Sequence, residues 1–168
     1  MQPDHPRIVP PIADAVAPSP KPTVTLRATW VGEHRFLTGR PDGATALFDG
    51  SAKAGQNPVD ALVSALASCV AIDVVDILAK RRTPATRMVV DAHGERRASY
   101  PRRLERVTLT FRVDGEGVDV GHTERGVALA LEKYCSVSAS LAPDIVVETL
   151  VVANGVAGTL VRHAGGAE

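Results

Sequence analysis

The sequence is short of cysteine, of aromatic residues and of any excess of charge. Two cysteines among 168 residues are too few for a disulfide framework or a four-thiolate metal site. Aromatic residues make up 4%, which leaves no platform for stacking bases. Lys plus Arg and Asp plus Glu number 19 each, so the basic excess usual in nucleic-acid binders is missing. No run of about 18 or more uncharged apolar residues occurs, which argues against a transmembrane helix. His5, His34, His93, His122 and His163 do not stand at zinc-ligand spacing, and there is no Walker loop or Gly-x-Ser-x-Gly elbow. Gly115, Gly117 and Gly121 imitate a dinucleotide loop, but at the wrong spacing, and read as a turn. The expectations are therefore no metal, no cofactor, no nucleic acid and no membrane. What is present is ordinary: 45% apolar and 23% charged residues, enough for one globular domain with a real core.

The prolines divide the chain. Pro3, Pro6, Pro10, Pro11, Pro18, Pro20 and Pro22 fall in residues 1–22, which read as a disordered arm without the basic start and apolar run of a signal peptide. A domain is expected over 23–154, followed by a flexible Gly- and Ala-rich tail over 155–168. Thr23–Val31 alternates apolar and polar residues and predicts a half-buried strand. Arg35–Thr38 and Ala44–Phe48 predict two more, in an antiparallel meander.

Both ends of the next element are marked. Asn57 is a cap residue, Pro58 suits the first helical position, and Asp60 stands where a carboxylate completes the cap. Lys80, Arg81 and Arg82 close the helix, with Pro84 beyond. The body is apolar on several sides, so protein must nearly surround it. Asp73 and Asp76 lie among those apolar neighbours; they either meet arginines at an interface or face water. Strands are predicted at Arg87–Ala98, Leu104–Val113 and Ile145–Val152, with a second helix over His122–Tyr134. The order β-β-β-α-β-β-α-β is α+β rather than doubly wound.

Chemistry centres on the cysteines. Cys69 lies mid-helix and Cys135 follows the second helix; each is either a small buried hydrophobe or half of a redox pair. The segment Asn57-Pro58-Val59-Asp60-Ala61-Leu62 through Ala67-Ser68-Cys69 resembles the central helix of the OsmC/Ohr family. Leu131-Glu132-Lys133-Tyr134-Cys135-Ser136-Val137 resembles that family's second cysteine motif, with Ser136 where Pro is usual. The resemblance spans about residues 23–152.

It implies an OsmC-like fold, with antiparallel sheets wrapped around two central helices in an intertwined homodimer. It implies reduction of organic hydroperoxides by a peroxidatic Cys69 and a resolving Cys135, a dithiol restoring both. The partners implied are a second copy, a hydroperoxide and that reductant. A mid-helix thiol needs a cation to ionise at neutral pH. In the family an early-strand Arg fills this role, held by a carboxylate on the long helix. Arg35 fits better than Arg40, and Asp60 is the candidate carboxylate. Peroxidase-type members carry Glu where Val59 stands, and one residue along a helix turns a side chain by about 100°. The alternative on the same scaffold is a small-ligand-binding or redox-sensing protein. A reducing cytoplasm is the expected compartment.

Overall fold

The structure is a computed structural model and describes residues 23–163. The expected arm over 1–22 and the last part of the expected tail, 164–168, lie outside the described residues. Three short strands, β1 (Arg27–Trp30), β2 (Arg35–Gly39) and β3 (Thr45–Asp49), form the antiparallel meander read from the sequence. They share a sheet separate from the other strands.

Asp49 ends β3 and organises the loop beyond it. Its buried carboxylate accepts from the Ser51 and Ala54 amides at 2.9 Å each, the Ser51 hydroxyl at 2.7 Å and the Lys53 amide at 3.2 Å. Led by the Ala54 amide, these donors hold the carboxyl well below the usual carboxylate range. A folded-state pKa below the unfolded value of about 3.9 adds stability that is complete above that value and fades as the pH falls. Thermal unfolding followed from pH 7 to 3 is expected to show this loss in the parent. Asp49→Asn should be less stable at neutral pH with a flatter acid limb; parallel curves would contradict the assignment.

Helix α1 (Pro58–Lys80) begins where the cap residues placed it. The Asn57 side chain accepts from the Val59 amide at 2.9 Å and the Asp60 amide at 3.0 Å, and its Nδ2 donates to Asp60 at 2.7 Å. Contrary to the expectation from uncharged runs, α1 is long and apolar enough by composition to cross a membrane. One stripe of it packs in the core, with Leu66, Val70, Val74 and Leu78 buried, whereas Leu62, Ile72 and Val75 stay exposed, so a single chain does not surround the helix as its composition predicts. Gly94 lets strand and helix meet, since a Cβ there would stand 3.2 Å from Val63 of α1 and 2.9 Å from Leu104.

The larger sheet contains β4 (Arg87–Arg96), β5 (Leu104–Asp114), β6 (Val146–Ala153), β7 (Val156–Ala157) and β8 (Val161–His163). The α+β class holds, but the sheet is not purely antiparallel: β6 runs parallel to β5, from Arg106 beside Val146 to Val113 beside Ala153. A hairpin joins β4 to β5, whereas residues 115–145 cross over between β5 and β6, and a crossover returns a strand parallel. A second correction concerns the tail. Residues 156–157 and 161–163 pair with β6, so the sheet continues past residue 154. Along β5 and β6 alternate residues are buried, Val107, Leu109, Phe111 and Val113 facing the same core as Val147 and Val151.

Candidate functional site

Helix α2 (Val120–Leu129) starts at Asp119, whose side chain accepts from the His122 amide. The expected single helix to Tyr134 is interrupted: Ala130–Tyr134 form a π-helical turn, closed by a 2.8 Å bond from the Cys135 amide to the Ala130 carbonyl. That wider turn carries one residue more than an α-turn. At Cys135 the backbone is extended, and it caps the four-residue helix α3 (Ser136–Ala139), its sulfur accepting from the Ser138 amide at 3.3 Å. The turn and α3 both pack against α1.

This bend buries Cys135 and makes the Cys69 thiol its neighbour. Both are free thiols, with Cys69 half-buried on α1. Burial first, and then the neighbouring Cys69 thiol, push the Cys135 thiol up to about 11, against the smaller opposing pull of the Ser138 amide. Cys135 therefore keeps its proton at neutral pH and can offer it to the adjoining sulfur. The fold thus brings together two free cysteines 66 residues apart in sequence.

The other two expected site residues stand elsewhere. Arg35, on β2, donates from Nη2 to Glu33 at 2.7 Å, and its Nε is buried without an acceptor. Asp60 is engaged by Asn57 at the start of α1, nine residues and so about 13.5 Å along the axis from Cys69. Arg35 and Asp60 form no ion pair, and no Arg side chain hydrogen-bonds to either sulfur among the described residues. Arg40 lies in the turn between β2 and β3, where its carbonyl accepts from the Gly43 amide. Within one chain, then, the sulfur pair assembles and the cation does not join it. The Ser138 amide was missed in the sequence, because only the π turn brings it to Cys135.

Fold and site together define a small α+β protein with two neighbouring free thiols. The family model for OsmC-like proteins matches residues 49–150, and the chain belongs to that family. Protein YhfA of Escherichia coli (strain K12) is 36% identical over 116 residues, covering 68% of this chain and 87% of YhfA. A hypothetical protein from Aquifex aeolicus VF5 superposes with a TM-score of 0.66 at 26% identity, over 77% of this chain and 96% of its own. An organic hydroperoxide resistance protein OsmC from Legionella pneumophila shares the fold, with a TM-score of 0.56 at 16% identity over 78% of this chain and 98% of its own.

Proposed function

We propose that this protein reduces organic hydroperoxides at the Cys69–Cys135 pair and is reset by a dithiol. The observation that carries the reading is the contact between the two thiols, with Cys135 held protonated beside Cys69. The Cys69 thiolate attacks one peroxide oxygen, the O–O bond breaks, and the other oxygen leaves as an alcohol once protonated. Cys69 is then a sulfenic acid. Cys135 attacks that sulfur and its proton goes to the departing hydroxyl, giving a disulfide and water. A dithiol returns both sulfurs to thiols by exchange. The name carried by the Legionella pneumophila neighbour is in keeping with this chemistry.

The working form in this proposal is a homodimer in the cytoplasm. Its support is apolar surface that one chain leaves open. Ile72 on α1 is 63% exposed, and Trp30 on β1 is 64% exposed. A sheet of three short strands needs more cover than this to hold its shape. A second copy packed on α1 would cover Ile72 and the exposed apolar residues beside it.

A second reading is a binding protein for a small apolar ligand. It is favoured by an open cleft of about 350 Å³ along α1 and β4, lined by Ala71, Ile72, Val75, Met88 and Val90 among others.

The test is stoichiometric. One equivalent of tert-butyl hydroperoxide added to reduced protein should consume two thiols and yield a Cys69–Cys135 disulfide by peptide mass mapping. Excess dithiothreitol should then make turnover continuous. Retention of both thiols through this treatment would favour the binding protein instead.

A further inference from the structure

Residues 95–106, the closed end of the β4–β5 hairpin, hold five arginines, and these divide into two sets. Those at the base are balanced. Arg103 pairs with Asp144 and has Glu105 beside it, and Arg106 pairs with Glu148 and reaches Glu95 at 3.5 Å. Arg96, Arg97 and Arg102 form no ion pair among the described residues. Yet the fold gathers them around one turn. Nε of Arg96 donates to the Arg102 carbonyl and Nε of Arg97 to the Pro101 carbonyl, both at 2.6 Å, and the Arg102 guanidinium lies 4.8 Å from the centre of the Tyr100 ring. Only Nε is used on the loop, so the outer N–H groups of Arg96 and Arg97 stay available as donors. Like charges held this close repel one another, and an anion from outside the chain relieves that repulsion.

We propose that this tip docks the protein on an anionic membrane surface, with Tyr100 and Pro101 entering the headgroup layer and Arg96, Arg97 and Arg102 binding lipid phosphates. The proposal goes beyond the thiol chemistry and does not depend on it. Residues 98–102 are all exposed, and Tyr100 is 81% exposed, so the tip projects rather than encloses. The cleft of about 210 Å³ at the foot of the hairpin takes in Arg96 but not Arg97, Tyr100 or Arg102. A small anion is held in a concave site, whereas a projecting cation cluster with an amphipathic ring fits an extended surface. Tyrosine has the apolar body and polar end that settle at a membrane interface, and arginine grips phosphate through paired N–H groups. One anchor of either kind holds only weakly, and the two together give a lasting attachment. A contact of this kind needs no spanning helix. A formal net charge of zero does not oppose it, because the surface field acts only within about 10 Å at roughly 0.1 M salt. The tip also stands apart from the face assigned to a second copy. The foot of the hairpin meets α1 near Asp60, whereas Ile72 lies twelve residues further along, about 18 Å. A single aromatic ring, already faced by Arg102, makes a poor track for a nucleic-acid strand.

Sedimentation with lipid vesicles reads the binding, with circular dichroism confirming the fold of each variant. The parent should bind vesicles of equal parts phosphatidylcholine and phosphatidylglycerol at least about tenfold more tightly than phosphatidylcholine alone, and added salt should weaken it. Arg96→Gln, Arg97→Gln and Arg102→Gln combined should weaken that binding by about 100-fold, roughly fivefold for each charge. Lysine at the same three positions keeps the charge and should keep most of the binding. Tyr100→Ser should weaken it several-fold. Arg81→Gln with Arg82→Gln, at the other end of α1, should bind like the parent. Equal binding to both vesicle types would overturn the proposal. So would a triple Gln variant or Tyr100→Ser that binds like the parent, a triple Lys variant as weak as the Gln one, or an Arg81 and Arg82 variant that loses as much. Tighter binding to oligothymidylate than to the anionic vesicles would make the tip a nucleic-acid surface instead. Release from vesicles by millimolar phosphate, but not by chloride of the same ionic strength, would make it a small-anion site.

Discussion

Replacing Cys69 by serine is expected to abolish hydroperoxide reduction while leaving the protein folded. The change exchanges one small side chain for another at a half-buried position on α1, so stability should move by no more than about 1 kcal/mol. The chemistry has no such tolerance. A serine hydroxyl acts as a nucleophile only beside a general base, and no histidine hydrogen-bonds to Cys69 among the described residues. Loss of the attacking group should cost on the order of 10³-fold or more, the scale on which removal of a covalent nucleophile acts. The companion Cys135→Ser separates the two roles. The first oxidation of Cys69 should persist, the sulfenic acid should accumulate in reach of a trapping reagent, and turnover should stop after one equivalent. A Cys69→Ser protein that keeps its rate would move the chemistry to Cys135. That residue is ill suited to it, being 3% exposed and still protonated at neutral pH.

The contrast between these cysteines was only half legible in the sequence. Cys69 could be placed because α1 announces itself: Asn57 and Pro58 start it, Lys80 ends it, and its interior has no Gly or Pro to break it. Cys135 could be placed at the end of a helix, but not turned towards Cys69. That orientation depends on a single extra residue in the Ala130–Tyr134 turn, and no composition signal marks a π turn. The parallel pairing of β5 with β6 escaped for a related reason. Strand patterns give the faces of β6, whereas its direction follows from the crossover that delivers it. β7 and β8 escaped because two or three residues are too few to show a period, and the nearby glycines read as a loose end. Arg35 illustrates a different limit. Its strand was readable at the right residues, yet its partner is a tertiary matter, and in one chain that partner is Glu33.

The same sheet carries the largest expected loss of stability. Phe111 is fully buried at the middle of β5, with Val90 of β4 and Val151 of β6 beside it in register. Its ring faces the core that also receives Leu66, Val70 and Val74, the residues by which α1 sits down on the sheet. Phe111→Ala removes that ring and leaves a void that well-packed neighbours on three elements fill only in part. The cost should be about 3–5 kcal/mol, a large share of the roughly 5–15 kcal/mol that holds a domain of this size folded. Thr110, one residue earlier, points to the opposite face of the sheet and is half-buried. Thr110→Ala should cost less than about 1 kcal/mol. Urea titrations of the two variants should therefore give midpoints far apart at similar slopes. Because α1 takes its seat from this core, Phe111→Ala should also loosen the contact between Cys69 and Cys135. Disulfide formation after oxidation should slow in that variant at temperatures where Thr110→Ala behaves like the parent. Similar midpoints for the two would mean that the sheet does not hold the helix, and that the dithiol pair owes its geometry to the turn alone.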